Sequence, residues 1–595
     1  MNNPRPPVHM PHCPSRRLIG SVFVWLLLVA GAQAQFDPRS APEAATGTQS
    51  HDLATAKRHM VAAANAHAAE AGRQMLRAGG SAIDAAIAAQ LVLNLVEPQS
   101  SGIGGGAFIL YWDAAKTELN AYDGRETAPA SATPDRFLVG GKPMAFREAV
   151  LSGLSIGVPG LVRLLEDVHK KHGKLPWARL FEPAIRLAED GFEISPRLYL
   201  LLQLQDPESF VPAARRYFYT GTGSPLPIGY RLKNPEFAAT LRAIASGGAD
   251  AFYEGPIAQA IVDAVAAAPV APGGMTLDDL KGYRAKERAP LCISYRAQEV
   301  CGVGPPSSGG PTVAQTLKLL EPFDLGKTPD AALNARAVHL IAEAEKLAFA
   351  DRNRYLGDPD FVTVPDGLLD DDYIAQRRAL IDPNVAADKP KAGQPPGLKR
   401  QSFGVDATVE RSGTSHISII DDAGNALAMT TTIEGAFGSH NWAAGFLLNN
   451  ELTDFSFAPV DADGVPVANA VGPGKRPRSS MAPTIVFDMQ RHVEAVLGSP
   501  GGSSIILYVL KTLIGIIDWG LDAQQAANLM NFGSQGSGLD LEIDWSAVPL
   551  ALTLKPLGHR IVPSLMNSGV HIVTRRNGGL EGAADPRREG AALGD

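Results

Sequence analysis

The stretch Arg411–Asp422, RSGTSHISIIDD, places an unusual demand on any fold this chain can adopt. Residues 383–412 are rich in Pro, Gly and Lys, which argues against regular structure. That run ends in Gly413-Thr414-Ser415-His416, and alternating residues then announce a strand. A D-A-G-N turn and ALAMTTTIE complete a hairpin. A loose tether must therefore deliver a small-residue head to the start of a buried strand in mid-chain.

The surrounding text sorts into helical and strand-rich regions. From Met60 to Glu97 it is Ala-rich and reads as helix, broken at Gly79-Gly80, with Ser81 placed to cap the second segment. Residues 150–380 read as mostly helical. After Gly413, GFLLNNELTDFS, SSMAPTIVFD and VEAVLGSPGGSS read as strands and loops, and residues 504–517 as a buried helix or strand run interrupted by Lys511. Gly102, Gly104 and Ala107 fit a G-x-G-x-x-A spacing. A dinucleotide fingerprint opens a helix, whereas a strand, Ala107–Trp112, follows here, so a tight glycine loop is the better reading. His169 and His172 are three apart at a helix end and read as a solvated face, since a metal site lacks its further ligands.

Charge and cysteine usage narrow the function classes. The 595 residues carry 54 Lys+Arg against 62 Asp+Glu, a net −8, with no basic stripe; nucleic acid is not the expected partner. Arg16-Arg17, the apolar run Leu18–Ala30 and Ala32-Gln33-Ala34 have the order of a cleaved export leader, with cleavage expected after Ala34. The run is too short for a membrane span, so the mature chain is expected in a periplasm or outside the cell. Cys13 leaves with the leader. Cys292 and Cys301 flank a short hairpin and can bridge in an oxidising compartment or remain two buried thiols. No C-x-x-C or H-E-x-x-H occurs, and neither metal nor organic cofactor is expected.

Thr414 offers a chemistry that suits its setting. A threonine hydroxyl is a poor nucleophile without an adjacent base. If the Gly413–Thr414 bond is cut, the freed α-amine, with an ordinary pKa near ~7.7–8.0, becomes that base. Nucleophile and base are then held together covalently. Gly413 suits the cut because it can take a strained turn and expose its carbonyl, and the tether suits it because the freed end can swing away.

Six motifs in order, GIGGGAF…YDGRETAP, AEKLAFADRNRYLGDPDF, GTSHISIID, NNELTDFS, GKRPRSSMAPTI and GSPGGS, resemble the gamma-glutamyltransferase (gamma-glutamyltranspeptidase, glutathione hydrolase) family from about residue 58 to the end. The resemblance implies an α+β fold, a four-layer αββα sandwich of the N-terminal-nucleophile hydrolases. It implies a leader 1–34, a large subunit 35–413 and a small subunit 414–595 from one self-cleaved precursor. Thr414 is implied as nucleophile, Thr432 as its supporting hydroxyl, and Gly501 and Gly502 as the oxyanion hole. Arg125, Ser479 and Ser480 are implied to bind the carboxylate of a γ-glutamyl substrate such as glutathione. Glu451 and Asp454 are implied to take its ammonium, and water or an amino-acid or peptide amine to be the acceptor. Without the resemblance, Arg125 reads as a surface charge.

One position departs from the pattern. Glu434 stands where the best-known members carry Asn, and an ionised Glu accepts hydrogen bonds but cannot donate them. It is expected to lean toward the substrate ammonium or to repel the carboxylate. The segment Asp454–Ser479 also looks short for a full lid, which predicts more hydrolysis relative to transfer. Glu434 keeps open a related alternative, an acylase acting on glutaryl or cephalosporin side chains. An uncleaved periplasmic binding protein on the same fold is the alternative from outside enzymology.

Overall fold

The computed structural model describes residues 49–398, 403–408, 410 and 413–595; the leader and part of the tether lie outside them. Two seven-stranded sheets, each antiparallel throughout, form the centre. Their strands, in chain order, are β1 (Ala54–Ala56), β2 (Met60–Ala63), β3 (Gly106–Asp113), β4 (Glu118–Asp123), β5 (Lys286–Arg288), β6 (Pro290–Tyr295), β7 (Gln298–Val303), β8 (Thr414–Ile420), β9 (Ala426–Thr432), β10 (Thr484–Phe487), β11 (Val493–Gly498), β12 (His571–Arg576), β13 (Gly579–Ala584) and β14 (Ala591–Gly594). The first sheet runs β14-β2-β8-β9-β3-β4-β5 and the second β1-β13-β12-β11-β10-β7-β6.

Period-two alternation builds the layers. Val61, Ala63, Ile109, Ile417, Ile419 and Met429 turn one face of the first sheet toward helices α1 (Ala66–Arg77), α2 (Ala82–Val96) and α3 (Leu161–His172). Met60, Ala62, Phe108, Leu110 and Ala428 turn the other toward the second sheet. Trp112 and Phe487 meet edge-on across that interface, ring centroids 4.8 Å apart. Helices α4 (Gly309–Leu320), α5 (Ala335–Tyr355) and α6 (Ile505–Ile517) pack into the core of the second sheet. The result is the four-layer αββα sandwich, α+β in class.

Local chemistry explains the elements and three differences from the sequence reading. Ser81 caps α2 through a capping box with Asp84. Met60–Ala63, read as the start of a helix, is instead the buried strand β2; Asn65 caps α1 only afterwards. His169 and His172 are not a solvated face: His172 bonds the Tyr122 hydroxyl at 2.7 Å, and His169 bonds the Leu175 carbonyl at 2.9 Å. Residues 505–517 form helix, and buried Lys511 is held by the Leu529 carbonyl and Asn531. Burial pushes that amine down to about 7. Arg125 is 1% exposed, the opposite of a surface charge. Cys292 and Cys301 sit opposite each other in β6 and β7 and are joined as a disulfide. Among the described residues no helix is long and apolar enough to cross a membrane.

The glycine loop before β3 sets the depth of the functional strands. A Cβ on Gly105 would collide with the Thr432 carbonyl, and one on Gly104 with the Leu447 carbonyl. Glycine is needed here for close backbone approach. Gly105→Ala is expected to push the end of β9 outward and to destabilise the chain by about 1–3 kcal/mol, read as a lowered urea midpoint.

Candidate active site

Adjacent strands set the centre. β8 and β9 pair in register, Thr414 opposite Thr432, and Thr432 in turn lies opposite Gly106 of β3. The Thr432 hydroxyl donates to the Gly413 carbonyl and accepts the Glu434 N–H at 2.7 Å. The amide, the hydroxyl and the carbonyl of the Gly413–Thr414 bond thus form one directed chain. Glu434 turns the backbone at φ 73°, a left-handed conformation that non-glycine residues rarely adopt. Gly413 itself is not in that region. Its reason to be glycine is space, since a Cβ would overlap the Glu434 carbonyl. The expectation of a strained turn at Gly413 is corrected in that sense.

A small cavity, about 20 Å³, opens at these strand ends. It is lined by Thr414, Thr432, Glu434, Arg125, Glu451, Asp454, Ser479, Ser480 and Gly502. Gly502 begins a short 3-10 turn ahead of α6. Gly501, just before it at φ 141°, packs under the Tyr508 ring and does not line the cavity. Cys292 and Cys301 belong to the far edge of the second sheet and take no part. Glu410, Met481 and Ile505 also line the cavity and were not anticipated. Arg352 and Arg478, which hold Glu410, lay inside two of the motifs but carried no assignment.

Charge is concentrated around Arg125. Its guanidinium donates to Glu451, to Asp454 at 2.5 Å, and to the carbonyls of Pro477 and Arg478. Glu126 and Glu434 lie beside this clasp, so four buried acids face one buried cation. Burial pushes Glu451 and Asp454 upward, and Arg125 pulls them back. Glu434 is raised well above the ordinary carboxylate range by burial and by the charges of Asp454 and Glu451. Glu126 is raised for similar reasons, burial first and Glu451 second. Glu434 accepts from the Asn450 amide on one oxygen, while its other oxygen is buried without a hydrogen-bond partner. This setting runs against an ionised Glu434: burial and the nearby carboxylates favour the protonated form, which can donate as an amide in its place would.

The family model described as Gamma-glutamyltranspeptidase matches residues 68–595. The chain belongs to the gamma-glutamyltranspeptidase family. It is 37% identical to the glutathione hydrolase proenzyme of Bacillus subtilis (strain 168), over 96% of this chain and 97% of that one. It is 38% identical to the glutathione hydrolase proenzyme of Escherichia coli (strain K12), over 89% and 91%. Among solved structures it resembles a cephalosporin acylase from Bacillus halodurans, at a TM-score of 0.79 and 27% identity over 94% of this chain and 99% of that one.

The raised Glu434 has a measurable sign. A carboxyl that binds its proton more tightly when folded contributes stability below its unfolded pKa of about 4.3, and that contribution is lost as pH rises toward the folded value. Glu434→Gln cannot ionise. It is expected to be more stable than the wild type at neutral pH, with the gain vanishing near pH 4 in urea unfolding.

Proposed function

We propose that this chain is a self-cleaving gamma-glutamyl hydrolase and transferase that takes glutathione and related γ-glutamyl amides. The observation that carries this reading is the hydrogen bond from the Thr432 hydroxyl to the Gly413 carbonyl, which polarises the bond next to Thr414. The Thr414 hydroxyl adds to that carbonyl carbon. The C–N bond breaks, the nitrogen takes the hydroxyl proton, and an ester joins Gly413 to the threonine oxygen. Water then hydrolyses the ester, releasing the Gly413 carboxylate and restoring the Thr414 hydroxyl beside its free amine. Residues 35–413 and 414–595 become the two subunits.

In the cut enzyme the Thr414 amine takes the hydroxyl proton and the oxygen attacks the γ-amide carbonyl. The backbone N–H of Gly502, which lines the cavity, is the donor placed for the developing oxyanion; one such donor is worth about 10²–10³ in rate. The leaving amine departs protonated, and water or an acceptor amine resolves the glutamyl ester. Glu451 and Asp454 exchange part of their hold on Arg125 for the substrate ammonium, and protonated Glu434 donates to the carboxylate side. The export-leader pattern of residues 16–34 supports a location in the periplasm or outside the cell.

A glutaryl- or cephalosporin-side-chain acylase is the second reading, favoured by the resemblance to the Bacillus halodurans acylase. It needs no ammonium subsite. Asp454→Asn is expected to lower turnover of a γ-glutamyl anilide at least ~10-fold, the scale of one lost charged contact. Turnover of a glutaryl anilide should hold. Equal loss on both would remove the ammonium assignment.

Self-cleavage has its own test. Wild-type protein should run as two chains on a denaturing gel, with the lighter one beginning Thr-Ser-His, and Thr414→Ala as one. Thr432→Val, which keeps the shape but loses the hydroxyl, is expected to slow cleavage by roughly 10²–10³. Cleavage at the wild-type rate would detach Thr432 from the mechanism.

A further inference from the structure

Away from the strand ends, three side chains of metal-binding type converge beside α5. His339 and Glu343 stand one turn apart on that helix and so share a face. His559 meets them from 220 residues beyond His339, just after a short 3-10 turn, Lys555–Leu557. One ligand atom from each residue, two imidazole nitrogens and a carboxylate oxygen, lie within 4.8 Å of one another. All three residues are buried, at 0%, 2% and 4% exposure in chain order. No local motif announces the cluster, because only folding brings His559 to the helix.

Hydrogen bonds around the cluster decide where its protons sit. His339 Nε2 lies 2.8 Å from the Asp382 carbonyl, which can only accept. In the neutral ring Nε2 therefore carries the hydrogen, and Nδ1 carries a lone pair. That lone pair faces His559 Nε2, 2.7 Å away. His559 has two neutral forms. With its hydrogen on Nε2 it donates to His339, but its Nδ1 is then a bare acceptor, and that atom is buried with no hydrogen-bond partner among the described residues. Nothing thus holds His559 in the donating form. With its hydrogen on Nδ1, two lone pairs converge between the rings beside Glu343, and a cation is what such a pair accepts.

The carboxylate is fixed from behind. Glu343 Oε2 accepts the Ala387 N–H at 2.9 Å, and Oε1 accepts from Lys346 Nζ at 2.7 Å. Lys346 also donates to the Ala387 carbonyl at 2.8 Å. A carboxylate has about four lone-pair sites, so both oxygens keep one for a further partner. A carbonyl behind His339 and an amide behind Glu343 are the outer contacts that orient metal ligands. The Lys346 ammonium lowers the affinity the site can reach, since it repels any cation bound to Glu343.

We propose that His339, Glu343 and His559 bind a zinc ion, with a fourth position left to water. Two imidazoles and one carboxylate suit Zn²⁺, whereas Mg²⁺ and Ca²⁺ take oxygen ligands. Two nitrogens on one tetrahedral zinc sit about 3.3 Å apart, so the rings part by about 0.6 Å on binding. The ion ties α5 to the C-terminal region and to residues 382–387, where the run toward Gly413 begins. A cut at Gly413 would leave His339 and Glu343 on one piece and His559 on the other, so the ion would pin the two together. The site itself does not rest on that reading.

The test uses the purified full-length protein, stripped with a chelator and titrated with zinc chloride by isothermal calorimetry. One ion per chain is expected. His559→Gln and Glu343→Gln, which nearly keep the shape and lose a ligand, are each expected to bind at least ~10-fold more weakly. Zinc should raise the urea midpoint of the wild type and leave that of His339→Gln/His559→Gln unmoved. Co²⁺ in place of zinc should give the wild type the visible absorption of a tetrahedral centre, lost in the double variant. No zinc binding by the wild type, or equal binding by both single variants, overturns the site and leaves a buried histidine pair. Far-UV circular dichroism shows whether each variant folds. Should the variants not fold, the wild-type Co²⁺ spectrum decides alone, and absence of the tetrahedral band overturns the proposal.

Discussion

The hydroxyl of Thr432 ties two strands to one carbonyl, and the chemistry follows from that tie. In-register pairing of β8 with β9 puts Thr432 across from Thr414, so its side chain reaches the preceding carbonyl, that of Gly413. The Glu434 N–H fixes the hydroxyl's lone pair from behind. A one-residue slip would turn Thr432 to the opposite face of the sheet and break the chain of donors. The glycine loop at Gly104–Gly105 guards that register from the next strand, because its backbone rests against the Thr432 and Leu447 carbonyls with no room for a side chain. Catalytic geometry is here a property of sheet register, a more rigid device than a loop.

Charge balance is the second constraint. A site that binds a molecule with both a carboxylate and an ammonium has to bury cations and anions before the molecule arrives. Around Arg125 the excess of acids is met by a raised proton affinity at Glu434 and Glu126, which favours their neutral, donating forms. Around Arg352 and Arg478 the chain solves the same problem with acids from the tail. The two solutions differ in consequence. The raised proton affinity does not depend on the tail, whereas compensation by the tail would end with a cut at Gly413.

The strands after Gly413 were legible from their period-two pattern, and the layered fold and the grouping of cavity residues from the resemblance that six ordered motifs carry. What was missed is non-local. Met60–Ala63 carries too few residues for its period to tell strand from helix, and only its neighbours in the sheet decide. The proton affinity of Glu434 depends on its burial and on Asp454 and Glu451, brought beside it by the loop that follows its strand, and a reading from side-chain type alone makes it an anion. Arg125 looks like a surface charge until two acids more than 300 residues away close on it. Glu410 lay within a segment whose composition spoke correctly against regular structure, since among its described residues only isolated bridges occur. Composition reports backbone regularity; it is silent on whether one carboxylate of an irregular segment is anchored among arginines.

That anchoring also bears on why the chain would cut where it does. A freely moving tether would present Gly413 to Thr414 only in passing, and the cost of fixing its backbone, about 1–2 kcal/mol for each residue, would fall on the reaction. Here Asp406 and Glu410 dock the segment on two arginines before any bond is broken, and the Glu434 carbonyl leaves space at position 413 for glycine alone. Folding has already met the entropy cost of bringing the scissile carbonyl to the hydroxyl. The same ion pairs keep Glu410 in the wall of the cavity. Tighter anchoring would favour self-processing and oppose release of the freed end, so the strength of the Glu410 cage is set between two opposed demands.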